Sequence, residues 1–189
     1  MRYTGPLKGV ILDWAGTTVD HGSRAPVEAF LEAFRRRGVE VTAAQVRLFM
    51  GMPKKDHLRS VLALGEVQQA WELKRRARPT NDDLESLYSD FTQAQMLCLE
   101  KYGLLIPGAL DAVAAFRARG LKIGTTTGYT RPMMEIVAPY AERQGLVVDA
   151  IVCAGDTPEG RPHPWMAFEA AKRIGVYPMH AMVLSLIHI

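Results

Sequence analysis

The 189-residue sequence has only two cysteines, Cys98 and Cys153, far apart and outside any CxxC pair. That scarcity argues against a disulfide scaffold and a cysteine-based zinc site, and it fits a reducing, cytoplasmic setting. Long apolar runs are missing too. No stretch approaches the roughly 18 consecutive apolar residues of a membrane-spanning helix, so no membrane partner is expected. The N-terminal MRYTGPLKGVILDW meets an acid too soon to read as a signal peptide. Charge of one sign is also scarce, the net charge being +3. The densest basic patches, RRRG at 35–38 and KRRAR at 74–78, carry no aromatic stacking pattern. They read as solvated helix faces, and no nucleic-acid partner is expected. What remains is ordinary for a soluble globular protein: 48% hydrophobic and 23% charged residues, in a chain long enough for one domain and a small insert.

Order along the chain is informative. GVIL at 9–12 is a short continuous apolar run, as expected of a strand buried on both faces. In APVEAFLEAFRRRG (25–38), Val27, Phe30, Leu31 and Phe34 share one helical face, with Pro26 in the first turn and Gly38 as a stop. Thr42 and Gln45 form a capping-box pattern ahead of Val46, Phe49 and Met50. GMP at 51–53 breaks that helix, and Pro53 can open another at Lys54. A long helix, capped by Thr80 or Asn81, is expected to run to about Tyr102, so that residues 25–100 are all helical. Helices (107–120, 131–145, 163–176) then alternate with strands (121–130, which runs into a polar loop, 146–156 and 181–187). Such alternation predicts parallel βαβ units. The expected architecture is therefore a Rossmann-like α/β core of residues 1–21 and 103–189, with a helical insert of residues 22–102 after the first strand. Ligands bind such sheets beyond the carboxyl ends of the strands. That rule gathers Asp13, Thr125–Thr127 and the 154–162 loop around one crevice.

Asp13 taken alone would be a turn or cap residue. Here it opens D-x-x-G-T-x-x-D, with Gly16, Thr17 and Asp20. Thr127 precedes Gly128 in TTTGY, and Arg161 lies in GRPHPW. Together these segments resemble the nucleophile, hydroxyl and cation motifs of the haloacid dehalogenase superfamily. The resemblance implies an aspartyl-phosphate at Asp13, phosphate binding by Thr127, Gly128 and Arg161, and Mg²⁺ held in part by Asp13. A carboxylate can attack phosphorus in line if a divalent cation offsets the anionic repulsion.

Ala15 stands where most phosphatases of that superfamily have a second Asp acting as general acid/base. Three readings are open: an inert protein, another acid/base, or a leaving group that needs no proton. FMGMPKKDHLR (49–59) bears on the choice. Lys54 lies near a helix start beside Lys55, and both features lower an amine's pKa; a neutral amine can form a Schiff base. The usual reading of such a lysine is a solvated side chain. With DWAGTTVD, GTTTGYTR and GRPHPWM, however, this stretch resembles the phosphonoacetaldehyde hydrolase family, from about residue 8 to residue 183. That resemblance implies a Schiff base at Lys54 supported by Met50 and His57, and Mg²⁺ on Asp13 and the Ala15 carbonyl. It further implies a phosphonate substrate and a homodimer through the helical cap, with the 25–38 helix as one candidate face. The alternatives are another phosphatase or phosphomutase of the superfamily, or an inactive piece. LSLIHI (184–189) replaces the G-D-x-x-x-D-like fourth motif expected there. The sequence therefore reads as C-terminally truncated, with residues 184–189 not necessarily native.

Overall fold

The computed structural model describes residues 4–50 and 52–185. The chain forms two compact units, residues 1–23 with 100–189, and residues 24–99.

The first unit is built on a four-stranded, all-parallel sheet of order β3-β2-β1-β4. Its strands are β1 (Gly9–Asp13), β2 (Lys122–Thr130), β3 (Ala150–Ala154) and β4 (Met182–Ser185). All five residues of β1 are buried, which is why it reads as an unbroken apolar run rather than an alternating one. Helices α6 (Ala109–Ala118), α7 (Arg131–Arg143) and α8 (Trp165–Arg173) connect or flank the strands. Ile11, Val152, Met166 and Ala170 form one apolar cluster between α8 and the sheet. Gly124 permits that approach, because a Cβ there would lie 3.4 Å from the Cβ of Ala170.

β2 departs from expectation. It does not give way to a loop after the threonines but runs to Thr130. Between the pairs Thr126↔Val152 and Thr130↔Ala154, β2 has Thr127, Gly128 and Tyr129 where β3 has only Cys153. The polar, glycine-containing segment is therefore a bulge inside the strand. Bulges of this kind re-aim side chains and recur beside functional sites. β3 is shorter than expected, and Asp149, just before it, accepts the Ile123 amide at 2.6 Å. β4 takes in Leu184 and Ser185, paired with Ile11 and Leu12; residues 186–189 lie outside the described ones.

The second unit contains α1 (Arg24–Arg36), α2 (Ala43–Arg47), α3 (Lys54–Leu62), α4 (Gly65–Arg75) and most of α5 (Asn81–Tyr102). Its core joins Phe30 and Phe34 of α1 to Leu58 and Val61 of α3, Trp71 of α4, and Leu87 and Phe91 of α5. The apolar residues Val27, Phe30 and Phe34 of α1 are thus buried within their own unit. The capping box forms as expected: the Gln45 amide donates to Thr42 Oγ1, and the Thr42 amide to the Gln45 side chain. α2 nevertheless stops at Arg47, so Phe49 and Met50 lie in the turn beyond it, not in the helix. Thr80 and Asp83 make an equivalent reciprocal cap for α5. Arginines of the two basic patches face acids, Arg37 with Asp90 at 2.5 Å and Arg78 with Glu72 at 3.2 Å. Among the described residues, no helix is long and apolar enough to cross a membrane.

Candidate active site

Asp13 is the last residue of the central strand and is 5% exposed. A buried carboxylate is costly unless charge and hydrogen bonds compensate it. Two groups do so. The Trp14 amide donates to Asp13 Oδ1 at 2.8 Å. Arg161 donates through Nη1 to Oδ2 at 3.0 Å and through Nη2 to Oδ1 at 3.2 Å, a two-pronged pair that fixes the plane of the carboxylate. Residues 148 positions apart in sequence thereby meet at one point.

The loop after β1 is tightly wound. The amides of Thr17, Thr18 and Val19 all donate to the Trp14 carbonyl, and Gly16 takes φ 83°, a conformation glycine adopts at little cost. The Thr18 hydroxyl donates back to the Asp13 carbonyl at 3.1 Å. Ile106 donates to the Thr18 carbonyl and Asp20 to the Leu104 carbonyl, which tie the loop to the 104–106 segment. Two groups in this loop, Trp14 Nε1 and Thr17 Oγ1, are buried with no partner among the described residues. Such groups are few in native structures and ask for a water or a ligand.

The strand next to Asp13 carries the other expected residues. Asp13 is in register with Thr126, so Thr127 and Gly128 lie one step further toward the same carboxyl edge. The Thr127 hydroxyl accepts from the Tyr129 amide at 3.1 Å, which holds the bulge together and leaves its own hydrogen to be donated elsewhere. A Cβ at Gly128 would meet nothing within 4 Å among the described residues. No packing contact demands glycine there, and its missing side chain leaves room for a group to approach the backbone. Asp13, Thr127, Gly128 and Arg161 are therefore assembled on one sheet edge.

Lys54, Met50 and His57 belong to the other unit. Lys54 is the first residue of α3, behind Pro53, which supplies no side-chain cap. Lys55 is ion-paired with Glu85 of α5, so its charge is offset there. His57 is fully buried, with its ring 4.1 Å from that of Phe30. Its Nε2 lies 2.7 Å from the Val46 carbonyl, which requires the proton on Nε2 and leaves Nδ1 as an acceptor with no partner among the described residues. Burial pushes its pKa from 6.5 down to about 4; the bond to Val46 opposes the shift and the charge of Lys54 adds to it. Met50 packs, partly buried, against the core of the same unit.

Asp13 Oδ and the Ala15 carbonyl are hard oxygen donors of the kind Mg²⁺ takes, usually through one or two carboxylates with water and phosphate oxygens completing the shell. Among the described residues no three His, Cys, Asp or Glu side chains cluster to hold a metal ion. By donor type Asp13 and the Ala15 carbonyl are compatible with Mg²⁺ as a minimal protein share, one carboxylate and one carbonyl.

A model of the haloacid dehalogenase-like hydrolases matches residues 7–185. The chain belongs to that family. This haloacid dehalogenase-like hydrolase is 48% identical over 181 residues to a phosphonoacetaldehyde hydrolase of Syntrophobacter fumaroxidans, covering 96% of the chain and 65% of that relative. To one from Bacillus cereus it is 44% identical over 177 residues, covering 94% and 67%. The crystal structure of a phosphonoacetaldehyde hydrolase-like protein from Oleispira antarctica superposes with TM-score 0.92 at 36% identity, covering 97% of the chain and 67% of that protein. A hydrolase from Pseudomonas syringae, TM-score 0.72 at 23% identity with 95% and 74% covered, shares the fold. The chain spans about two thirds of the length of the curated relatives it matches.

Sequence reasoning missed the Trp14 amide and the two unpartnered groups, Trp14 Nε1 and Thr17 Oγ1. Residue type gives no sign of an amide's direction or of a side chain's unmet bond; only the tight Gly-Thr-Thr turn hinted that the backbone here would be constrained.

Two outcomes follow from the geometry. Arg161→Ala strands a buried charge and should destabilise the first unit by about 2 kcal/mol in urea denaturation, less than for a fully buried pair because Arg161 is partly exposed. Adding Asp13→Asn should recover much of that loss, whereas strictly additive effects would mean the pair is not coupled. His57 should titrate by NMR near pH 4 rather than 6.5. Between those values only the unfolded chain takes the proton, so stability present above pH 6.5 should fall by about 3 kcal/mol as pH drops to 4. In His57→Phe this pH-dependent loss should vanish.

Proposed function

We propose that the protein cleaves the C–P bond of phosphonoacetaldehyde, giving acetaldehyde and phosphate. One observation carries the reading: a buried Asp13 at the carboxyl end of the central strand, gripped at both oxygens by Arg161, beside Thr127 and an unobstructed Gly128. The relatives named phosphonoacetaldehyde hydrolase support it, as does a lysine at the start of α3.

Lys54 Nζ adds to the aldehyde carbon, and water leaves as the protonated imine forms. Asp13 attacks phosphorus. The C–P electron pair moves into the imine, which becomes an enamine. A carbanion is too poor a leaving group to depart unaided; the imine accepts its electrons, as a proton would serve a departing alkoxide. This gives Ala15 a rationale, since no general acid is needed at that position. Water then cleaves the aspartyl phosphate, the enamine carbon is protonated, and hydrolysis of the imine frees acetaldehyde and Lys54. Arg161, Thr127 and the backbone at Gly128 would hold the phosphoryl oxygens. Mg²⁺, held by Asp13 and the Ala15 carbonyl, would supply positive charge against those oxygens. Buried and neutral, His57 would leave the surroundings of Lys54 without a second positive charge, and Met50 would help shape them. A homodimer through the second unit, in the cytoplasm, completes the reading.

Borohydride added during incubation with phosphonoacetaldehyde should reduce the imine and leave a covalent adduct on Lys54, located by peptide mass spectrometry. Lys54→Arg should abolish it. Phosphate release from ordinary phosphate esters, indifferent to Lys54, would instead favour a phosphatase of the same superfamily, and absence of any adduct would sink the proposal.

A further inference from the structure

Asp156 has no part in the chemistry above, yet three donors converge on a single oxygen of its side chain. The Cys153 amide donates to Asp156 Oδ2 at 3.1 Å, Arg131 Nη2 at 2.5 Å and Arg173 Nη1 at 3.0 Å. The side chain is 13% exposed. Burial alone would raise its pKa, but the amide and the two guanidiniums outweigh burial and hold the carboxyl below its ordinary value.

The three donors come from different places. Cys153 is the β3 residue that faces the bulge of Thr127, Gly128 and Tyr129. Arg131 opens α7 directly after β2 ends, so it terminates the segment that carries the bulge. Arg173 lies at the end of α8 and also donates to the Ile151 carbonyl at 2.7 Å. Asp156 itself begins the loop that leads to Arg161. One carboxylate therefore ties the far end of the Thr127–Gly128 bulge to the near end of the Arg161 loop. The bulge is bracketed by the ladder pairs Thr126↔Val152 and Thr130↔Ala154. Between those pairs Cys153 is the residue opposite the bulge, so the bond from its amide to Asp156 bears directly on where the bulge lies.

We propose that Asp156 is a positioning residue, which sets the spacing between the Thr127–Gly128 segment and the Arg161 guanidinium so that both meet the same phosphoryl group. The inference rests on the phosphate-site reading of those residues. It separates Asp156 from a plain surface ion pair, whose loss would cost little and leave the site unchanged.

The test is binding of inorganic phosphate to the full chain with Mg²⁺ present, by titration calorimetry, with thermal midpoints recorded alongside. Asp156→Asn and Arg131→Gln should each weaken phosphate binding about tenfold, because small misplacements of positioned groups are costly. The double variant should be hardly worse than either single one. Arg131→Gln keeps the Cys153 and Arg173 contacts, so it remains informative if Asp156→Asn fails to fold. A merely structural role would lower the thermal midpoint and leave the affinity of the folded protein unchanged, and that result would overturn the inference. Arg161→Ala is the control. If it too binds phosphate like the unaltered chain, or the unaltered chain binds none, the underlying site reading fails instead.

Discussion

A carboxylate buried at the end of a fully buried strand must be compensated, and Asp13 is compensated by a residue from the opposite end of the chain. That requirement organises the first unit. β1 must sit centrally to bury Asp13. The backbone directly after Asp13 must orient the Trp14 amide toward the carboxylate. The segment between β3 and α8 must carry a bidentate cation to the same edge of the sheet. A parallel sheet meets all three demands, because its strands end on one side and leave their connections there. The ion pair does not make the protein stable by itself, since desolvation offsets most of the attraction. It specifies where the 155–164 loop must go.

Much of this was legible in the sequence, for identifiable reasons. An unbroken apolar run gave β1, and the strand–helix alternation after residue 103 gave the parallel sheet. Thr42 with Gln45, and Pro53 before Lys54, marked helix starts through backbone chemistry that operates over three or four residues. Such signals are local and survive in a single sequence. The bulge was not legible. Thr127, Gly128 and Tyr129 look like a loop by composition, and only pairing with β3 shows that the strand resumes at Thr130. α4 was equally faint, burying just Val67 and Trp71, too thin a stripe to give a period. The Asp156 contacts depend wholly on tertiary placement, and no spacing rule announces them.

Ala15 and His57 carry the same message from different units. Each is defined by what it withholds, a side-chain acid in one case and a positive charge in the other. In the proposed reaction Ala15 leaves out a side-chain acid that expulsion of carbon through an imine does not need. His57, buried against Phe30 and committed through Nε2 to a carbonyl, stays neutral at ordinary pH. A reaction that expels carbon through a lysine imine has use for both.

The central claim is that Asp13 is the nucleophile, and the most direct measurement is acid quenching during turnover of phosphonoacetaldehyde, followed by peptide mass spectrometry. The account predicts a phosphate group on the peptide that contains Asp13, absent from Asp13→Asn and trapped only when Lys54 is intact. Turnover with no phosphorylated Asp13 at any quench time, or with the phosphate on another residue, would contradict it.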